Sequence, residues 1–143
     1  MNTLDQLIQT FNDNFVAYYR SHVAHVNITG RNFRSDHKLL EGVYTRRQDQ
    51  IDRLAELIRT LDGFMPDEIQ DVLNRSDIPT TSIFGDSDTL LTEVKTDLET
   101  LKGEYETLMA TAESEGHEEI ANYAQDQILD LAKSIWMLNA TLS

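Results

Sequence analysis

Apolar residues recur every three or four positions along most of the chain, the spacing of helices that bury one face. Leu4, Leu7, Ile8, Phe11, Phe15 and Tyr18 predict a first helix over residues 3–28, stopping near Gly30. Thr29-Gly30-Arg31-Asn32 reads as a loop. Ser35 or Asp36 is then placed to cap a second helix that runs to about Asp62, with Gly63 as its terminator. Along it Leu40, Val43, Ile51, Leu54, Ile58 and Leu61 form the apolar stripe. Residues 63–88 hold both prolines and several Gly, Asp, Ser and Thr, so they predict a long connection too polar to be a core element. Within it Pro66-Asp67-Glu68 suits the first turn of one short helix, because proline lacks an N–H and the acids favour the positive end of the helix dipole. A third long helix fits residues 88–115, with Leu91, Val94, Leu98, Leu101, Tyr105 and Leu108 on one face and Gly116 at its end. A fourth follows directly, with Ile120, Ala124, Ile128, Leu131, Ile135, Leu138 and Leu142 as the most regular stripe in the chain.

The length of 143 residues and the 40% hydrophobic content suit one domain over residues 1–143 with a single core. The predicted fold class is all-α. Four long helices with one long link between the second and third match a ferritin-like four-helix bundle, carrying a short extra helix in that link, better than a simple up-down bundle. Charged residues make up 26% of the chain, and no apolar run approaches the ~18 residues that a membrane span needs. Asp5 and Asp13 fall in the first twenty residues, with no basic residue before Arg20, so no secretory signal is read and a cytoplasmic location is expected.

Twelve basic residues against 25 acidic ones leave a net charge of −13, a field that repels phosphate backbones and attracts cations. Nucleic acid is not an expected partner. Arg31, Arg34, Lys38, Arg46 and Arg47 cluster in sequence, and a solvated helix face accounts for them. With no cysteine, disulfides, thiolate metal sites and thiol catalysis are excluded, and His, Asp and Glu are the available metal ligands.

Those residue types are concentrated on the first two helices as His25, His37, Glu41, Asp52 and Glu56. His37 with Glu41, and Asp52 with Glu56, are four apart, so each pair projects from neighbouring turns of one helix face. An oxygen-rich set with imidazole nitrogens suits iron. His37 and Asp52 are fifteen residues apart, however, or about 22 Å along a straight helix. Ligands of one ion lie within about 2–2.5 Å of it. An antiparallel first helix would set Phe11, Asn14 and Phe15 beside Asp52, not His25. Two copies of the second helix packed antiparallel about a two-fold axis would bring the His25, His37, Glu41 end of one to the Asp52, Glu56 end of the other, twice over.

These residues also carry a family resemblance. The stretch from His22 to Phe33, His-Val-Ala-His-Val-Asn-Ile-Thr-Gly-Arg-Asn-Phe, continuing to His37-Lys-Leu-Leu-Glu41-Gly42 and Asp52-Arg-Leu-Ala-Glu56, resembles the ferroxidase segment of the Dps family of mini-ferritins. Weaker similarity extends through Lys133 to Trp136. It covers nearly the whole chain, with the 63–88 link least alike. The resemblance implies a homo-oligomer, a dodecamer enclosing a cavity, and a di-iron site between subunits with His25, His37 and Glu41 from one chain and Asp52 and Glu56 from its neighbour. It further implies ferroxidase activity, an oxidoreductase reaction in which Fe(II) is oxidised by hydrogen peroxide or O2 and stored as ferric mineral. Iron storage and relief of oxidative stress would then be one event. His22 is a candidate auxiliary ligand, and Val26 stands where family members usually carry Trp. The family places acidic pores near the start of the fourth helix, which nominates Glu118, Glu119 and Asp126, with Asn122 where a carboxylate is more usual. DNA binding in the family often depends on a basic tail that this sequence does not show, so it is not carried over. The alternative is a non-catalytic bundle used as a scaffold or interaction surface, with vestigial ligands; the intact ligand positions argue against it.

Overall fold

The computed structural model describes residues 1–143 and contains five helices and no strand. They are α1 (Thr3–Asn27), α2 (Phe33–Thr60), α3 (Ile69–Arg75), α4 (Ser87–Ser114) and α5 (Glu118–Leu142). Helix α1 starts in a capping box: the Asn2 side chain accepts from the Asp5 N–H, and the Asp5 carboxylate accepts from the Asn2 N–H. Helix α4 starts on Asp86, whose carboxylate accepts from the Thr89 N–H. That bond holds Asp86 below the usual carboxylate range.

The start of α2 departs from expectation. Phe33 is already helical and Asn32 is the N-cap, with no side-chain cap bond. Ser35 lies inside the first turn and donates to the Asn32 carbonyl, and Asp36 is buried within the helix, so neither is the cap. At the other end, Asp62 takes the left-handed position (φ 63°), where glycine was expected. The Gly63 N–H bonds the Ile58 carbonyl at 3.1 Å and the Asp62 N–H bonds the Arg59 carbonyl at 3.0 Å, a Schellman closure built on a short polar side chain that tolerates this conformation. Gly63 serves a different need. A Cβ there would lie 2.5 Å from Leu4 Cδ1, so the missing side chain lets the end of α2 pass close to the start of α1.

Helix α1 runs antiparallel to α2, since His25 meets His37, Asn14 Nδ2 donates to the Arg47 carbonyl, and Leu4 meets Gly63. It also runs antiparallel to α4, with Gln6 bonded to Glu104 and Arg20 to Asp97 and Glu93. Helix α5 runs antiparallel to α2, with Tyr123 bonded to Gln50 and Arg47 to Asp130. Helices α2 and α4 therefore point the same way, and residues 61–86 must travel the length of the bundle between them. This is the ferritin-like connectivity that the pattern predicted. No helix is long and apolar enough to cross a membrane.

The predicted stripes of α4 are buried without exception, and Leu7, Phe11, Leu40, Val43, Leu54, Ile58, Ile120, Ala124, Leu131 and Leu138 join them in one continuous core. Each fully buried leucine contributes about 2 kcal/mol from water exclusion alone. Leu4, Ile8, Phe15, Ile51, Leu61, Ile128, Ile135 and Leu142 pack partly buried at the edge of this core, and Tyr18 is half-buried on the side of α1 that carries His22. The 61–86 connection is also more than a polar strap, because Val72, Ile78 and Ile83 are buried in the core. Its short helix starts at Ile69 with Glu68 as N-cap, so Pro66 precedes the helix by three residues and the acid in its first turn is Asp71. Polar pins hold the connection elsewhere. Gln9 donates to the Arg75 carbonyl, Arg20 Nη1 to the Thr81 carbonyl, and Ser76 Oγ and the Asp77 N–H both donate to Asp13.

Candidate metal centre

Ferritin-like di-iron proteins of the bundle-core type hold metal at the centre of the bundle with inward-facing Glu and His. Here that centre is filled otherwise. Arg47, 1% exposed, reaches from α2 to Asp130 at 2.7 Å and Gln127 at 3.3 Å on α5, with Asn14, Gln50, Tyr105 and Tyr123 around it. Arg47 therefore does not belong to the solvated basic face read from the sequence, and Arg46 beside it pairs with Asp130 at 3.3 Å. A buried guanidinium is incompatible with a cation in the same place. Burial drives Tyr123 and Tyr105 upward from the usual phenol range, so both remain neutral donors in this network.

The histidines lie near one end of the α1/α2 pair. His25 and His37 stack with ring centroids 3.8 Å apart and planes 17° apart. His25 Nδ1 is 2.8 Å from the His37 carbonyl, and His37 Nδ1 is 2.7 Å from the His25 carbonyl. A carbonyl oxygen only accepts, so both Nδ1 atoms carry hydrogen and both Nε2 atoms present lone pairs. This is the arrangement that orients imidazoles for a metal, a second hydrogen bond fixing ring and tautomer. Glu41 lies one turn beyond His37, half-buried, with its carboxylate 3.2 Å from Lys38 Nζ in an exposed pair. Phe33 stacks on the outer side of His37 at 4.9 Å.

Asp52 and Glu56 are exposed on the same unbroken α2 and form no hydrogen bond or ion pair within the chain. The α1/α2 register set by His25–His37 and Asn14–Arg47 places Asp52 beside the Thr10 turn of α1, far from His25. The chain thus brings His25, His37 and Glu41 to one end and leaves Asp52 and Glu56 remote from them.

A ferritin-like domain model matches residues 4–143. The DNA protection during starvation protein of Helicobacter pylori is 34% identical over 145 aligned positions that cover all of both chains. Among solved structures, the Helicobacter cinaedi protein named CAIP superposes with a TM-score of 0.91 at 29% identity, covering 99% of this chain and 100% of that one. A Vibrio cholerae O1 Dps protein, described as a member of a broad superfamily of ferritin-like diiron-carboxylate proteins, gives a TM-score of 0.93 at 26% identity over 99% of this chain and 89% of its own.

The chain is a Dps mini-ferritin of the ferritin-like family.

In this Dps chain the remaining predicted residues fall as follows. His22 Nδ1 and the Tyr18 hydroxyl share a hydrogen bond at 2.9 Å, and the His22 ring stacks on Tyr44 at 3.9 Å and lies 6.1 Å from that of His25. Glu118 and Glu119 are exposed in the first turn of α5, and Asp126 is exposed two turns on. Trp136 is 64% exposed on α5 and Val26 is 61% exposed beside His25.

Two features of the Dps chain escaped the sequence. The ring cluster of Tyr18, His22 and Tyr44 was partly visible as i,i+4 spacing on α1, but Tyr44 comes from α2 and carried no signal. The other is a trio of carboxyl groups, Asp13, Asp77 and Glu104, whose oxygens lie within 4.8 Å of one another. Asp13 is fully buried and accepts from Ser76, the Asp77 N–H and Gln9, while Glu104 accepts from Gln6 at 2.7 Å. Burial pushes Asp13 above the usual range, and burial with its acidic neighbours pushes Glu104 up to about 7. Asp13 and Glu104 are tied to the chain's own donors and the Asp77 N–H to Asp13, so the trio staples the 61–86 connection to α1 and α4.

Proposed function

We propose that this chain is a ferroxidase and iron store: it binds Fe(II) at sites shared between two subunits, oxidises it with hydrogen peroxide or O2, and retains the ferric product inside a dodecameric shell. The observation that carries this reading is the paired histidines, which hold two Nε2 lone pairs in fixed directions while the carboxylates needed to complete the sphere stand about 22 Å away on the same rigid rod. The buried Arg47 supports it by removing the bundle centre as the alternative location.

In the proposed assembly, two copies of the 1–143 domain pack with α2 antiparallel about a two-fold axis. His25, His37 and Glu41 of one subunit then face Asp52 and Glu56 of the other, and one axis makes two equivalent sites. Iron is substrate and cargo here. Carboxylates supply the hard donors that ferric iron prefers, and two imidazoles temper the charge of the site so that ferrous iron binds without being held permanently. Two ferrous ions give the two electrons that peroxide needs to become water, so the oxidant is consumed as the iron is oxidised. The net charge of −13 favours accumulation of cations, and Glu118, Glu119 and Asp126 are proposed to line the access pores. His22 serves beside the site.

The test is peroxide consumption after anaerobic ferrous loading of the assembled protein. His37→Ala and Glu56→Ala should each abolish rapid consumption; an unchanged rate in both would mean that the metal is bound elsewhere.

A further inference from the structure

The 61–86 connection meets α1 and α4 at a joint where three acids converge. Asp13 of α1, Asp77 of the connection and Glu104 of α4 hold their carboxyl oxygens within 4.8 Å of one another. Asp13 is fully buried and accepts from Ser76 Oγ at 2.9 Å, the Asp77 N–H at 2.7 Å and Gln9 at 3.2 Å, a donor set that suits a carboxylate. Glu104 is half-buried and accepts from Gln6 at 2.7 Å, and Asp77 is exposed.

No cation offsets this charge. The ion pairs of the chain include none of the three acids, and the basic residues nearest to them in sequence, Arg75 and Lys102, pair with Asp71 and Glu106. Glu104 is faced by Asp13 and the neutral Gln6 from α1 and by Asp77 from the connection. Asp13 is faced by the neutral Gln9 on its own helix and by Ser76 and Asp77. Three carboxylates so close repel one another, so a single proton among them decides whether the joint coheres. Burial first, then Asp77 and Asp13, raise Glu104 to about 7, and in its protonated form it donates to Asp77 across the joint.

The joint also governs a neighbouring space. The connection and α1 enclose a slot of about 550 Å³, lined among others by Phe15, Val23, Leu73 and Ile83. A connection that lifts at Asp77 loosens one wall of that slot and bares the apolar flank of α1.

We propose that Asp13, Asp77 and Glu104 form a proton-operated latch: with Glu104 protonated the connection is fastened to α1 and α4, and with all three acids ionised residues 76–78 lift from the bundle while the long helices stay folded. The closed latch holds a proton that the open one releases, so acid closes it. Loosening runs from about 4.5, the ordinary value of the group, to about 7, and further alkali adds nothing because Glu104 is then ionised in both states. The latch needs no iron and stands apart from the ferroxidase reading.

Amide hydrogen exchange of the metal-free assembled protein reads the latch directly, because the Asp77 N–H is bonded to Asp13 and the Ile78 N–H to Ser76 Oγ. After correction for the intrinsic pH dependence of exchange, protection at Asp77 and Ile78 should fall at least about tenfold from about pH 5 to about pH 7 and then level off, with α1 and α4 still protected. Glu104→Gln carries a neutral donor at every pH and should hold that protection constant. Asp77→Asn, on the exposed side of the trio, removes the facing charge and should weaken the dependence without threatening the fold. Wild-type protection that does not change with pH, a fall equal to the wild type's in both variants, or a fall shared by α1 and α4 would overturn the latch.

Discussion

His25 and His37 each donate a ring N–H to the other's main-chain carbonyl, at 2.8 and 2.7 Å, so each imidazole is oriented by the helix that carries its partner. Loss of either ring therefore removes one ligand and the stacking partner of the other, while the carbonyl that braces the remaining ring stays in place. His25→Ala and His37→Ala are each expected to weaken ferrous binding more than removal of the less braced Glu41, by more than the ~10–100-fold that loss of a supporting bond alone brings. Anaerobic ferrous titration by calorimetry measures this; equal affinities for wild type and both variants would refute it.

The proposed sharing of the site between subunits makes a second expectation sharp. Take His37→Ala and Glu56→Ala chains, each inactive alone, and assemble them from an equal mixture. A mixed dimer carries one doubly damaged site and one site whose His end and acid end are both intact. With random pairing, half the dimers are mixed, so activity should return to about a quarter of wild type. A mixture that stays inactive would show that both ends serve one chain.

The central arginine gives a stability prediction. Arg47→Met removes the closer and more buried of the two arginine partners of Asp130, leaves Arg46 at 3.3 Å, and takes from the neighbouring Gln127 its donor; Asp130 is itself part-buried, with 28% of its side chain exposed. Breaking a buried ion pair from one side typically costs about 3–5 kcal/mol, and the partial exposure of Asp130 places this case near the lower figure. Urea unfolding at fixed protein concentration reads it. A change under about 1 kcal/mol would mean that the network adds little.

Glu104 sets a pH dependence. Its folded value of about 7 lies above its ordinary 4.5, so between those pH values the folded state holds a proton that the unfolded state releases. Stability from this group is thus present at low pH and is lost as pH rises through about 7. Asp97, pushed up to about 6 by burial that outweighs its bond to Arg20, acts in the same direction at lower pH. Glu104→Gln should be distinctly more stable than wild type above pH 7, with the difference shrinking towards pH 4.5. Thermal unfolding of both proteins across pH 4.5–8 checks the sign.

The long helices were legible because their burial is periodic, and α4 kept every predicted contact. The ends were less so, since caps depend on local geometry that several residues can satisfy: Asp62 took the left-handed position, and Gly63 was needed for the approach of Leu4. Arg47 misled because a charged residue in a basic stretch looks solvated until its partners, 80 and 83 residues away, are known. The histidine pair could be expected from helix spacing, but the reciprocal carbonyl bonds depend on the register between two helices. The Asp13, Asp77 and Glu104 trio joins three elements and has no pattern along the chain.

The guanidinium at the heart of the bundle has a consequence for how this molecule is made. A helical protein that builds its metal centre among its own core residues must either fold around the ion or tolerate mutually repelling acids until one arrives. Here a permanent internal cation, supplied by the polypeptide itself, draws Asp130 and Gln127 inward from α5. The chain can therefore fold with its core charge already balanced, before any metal ion arrives.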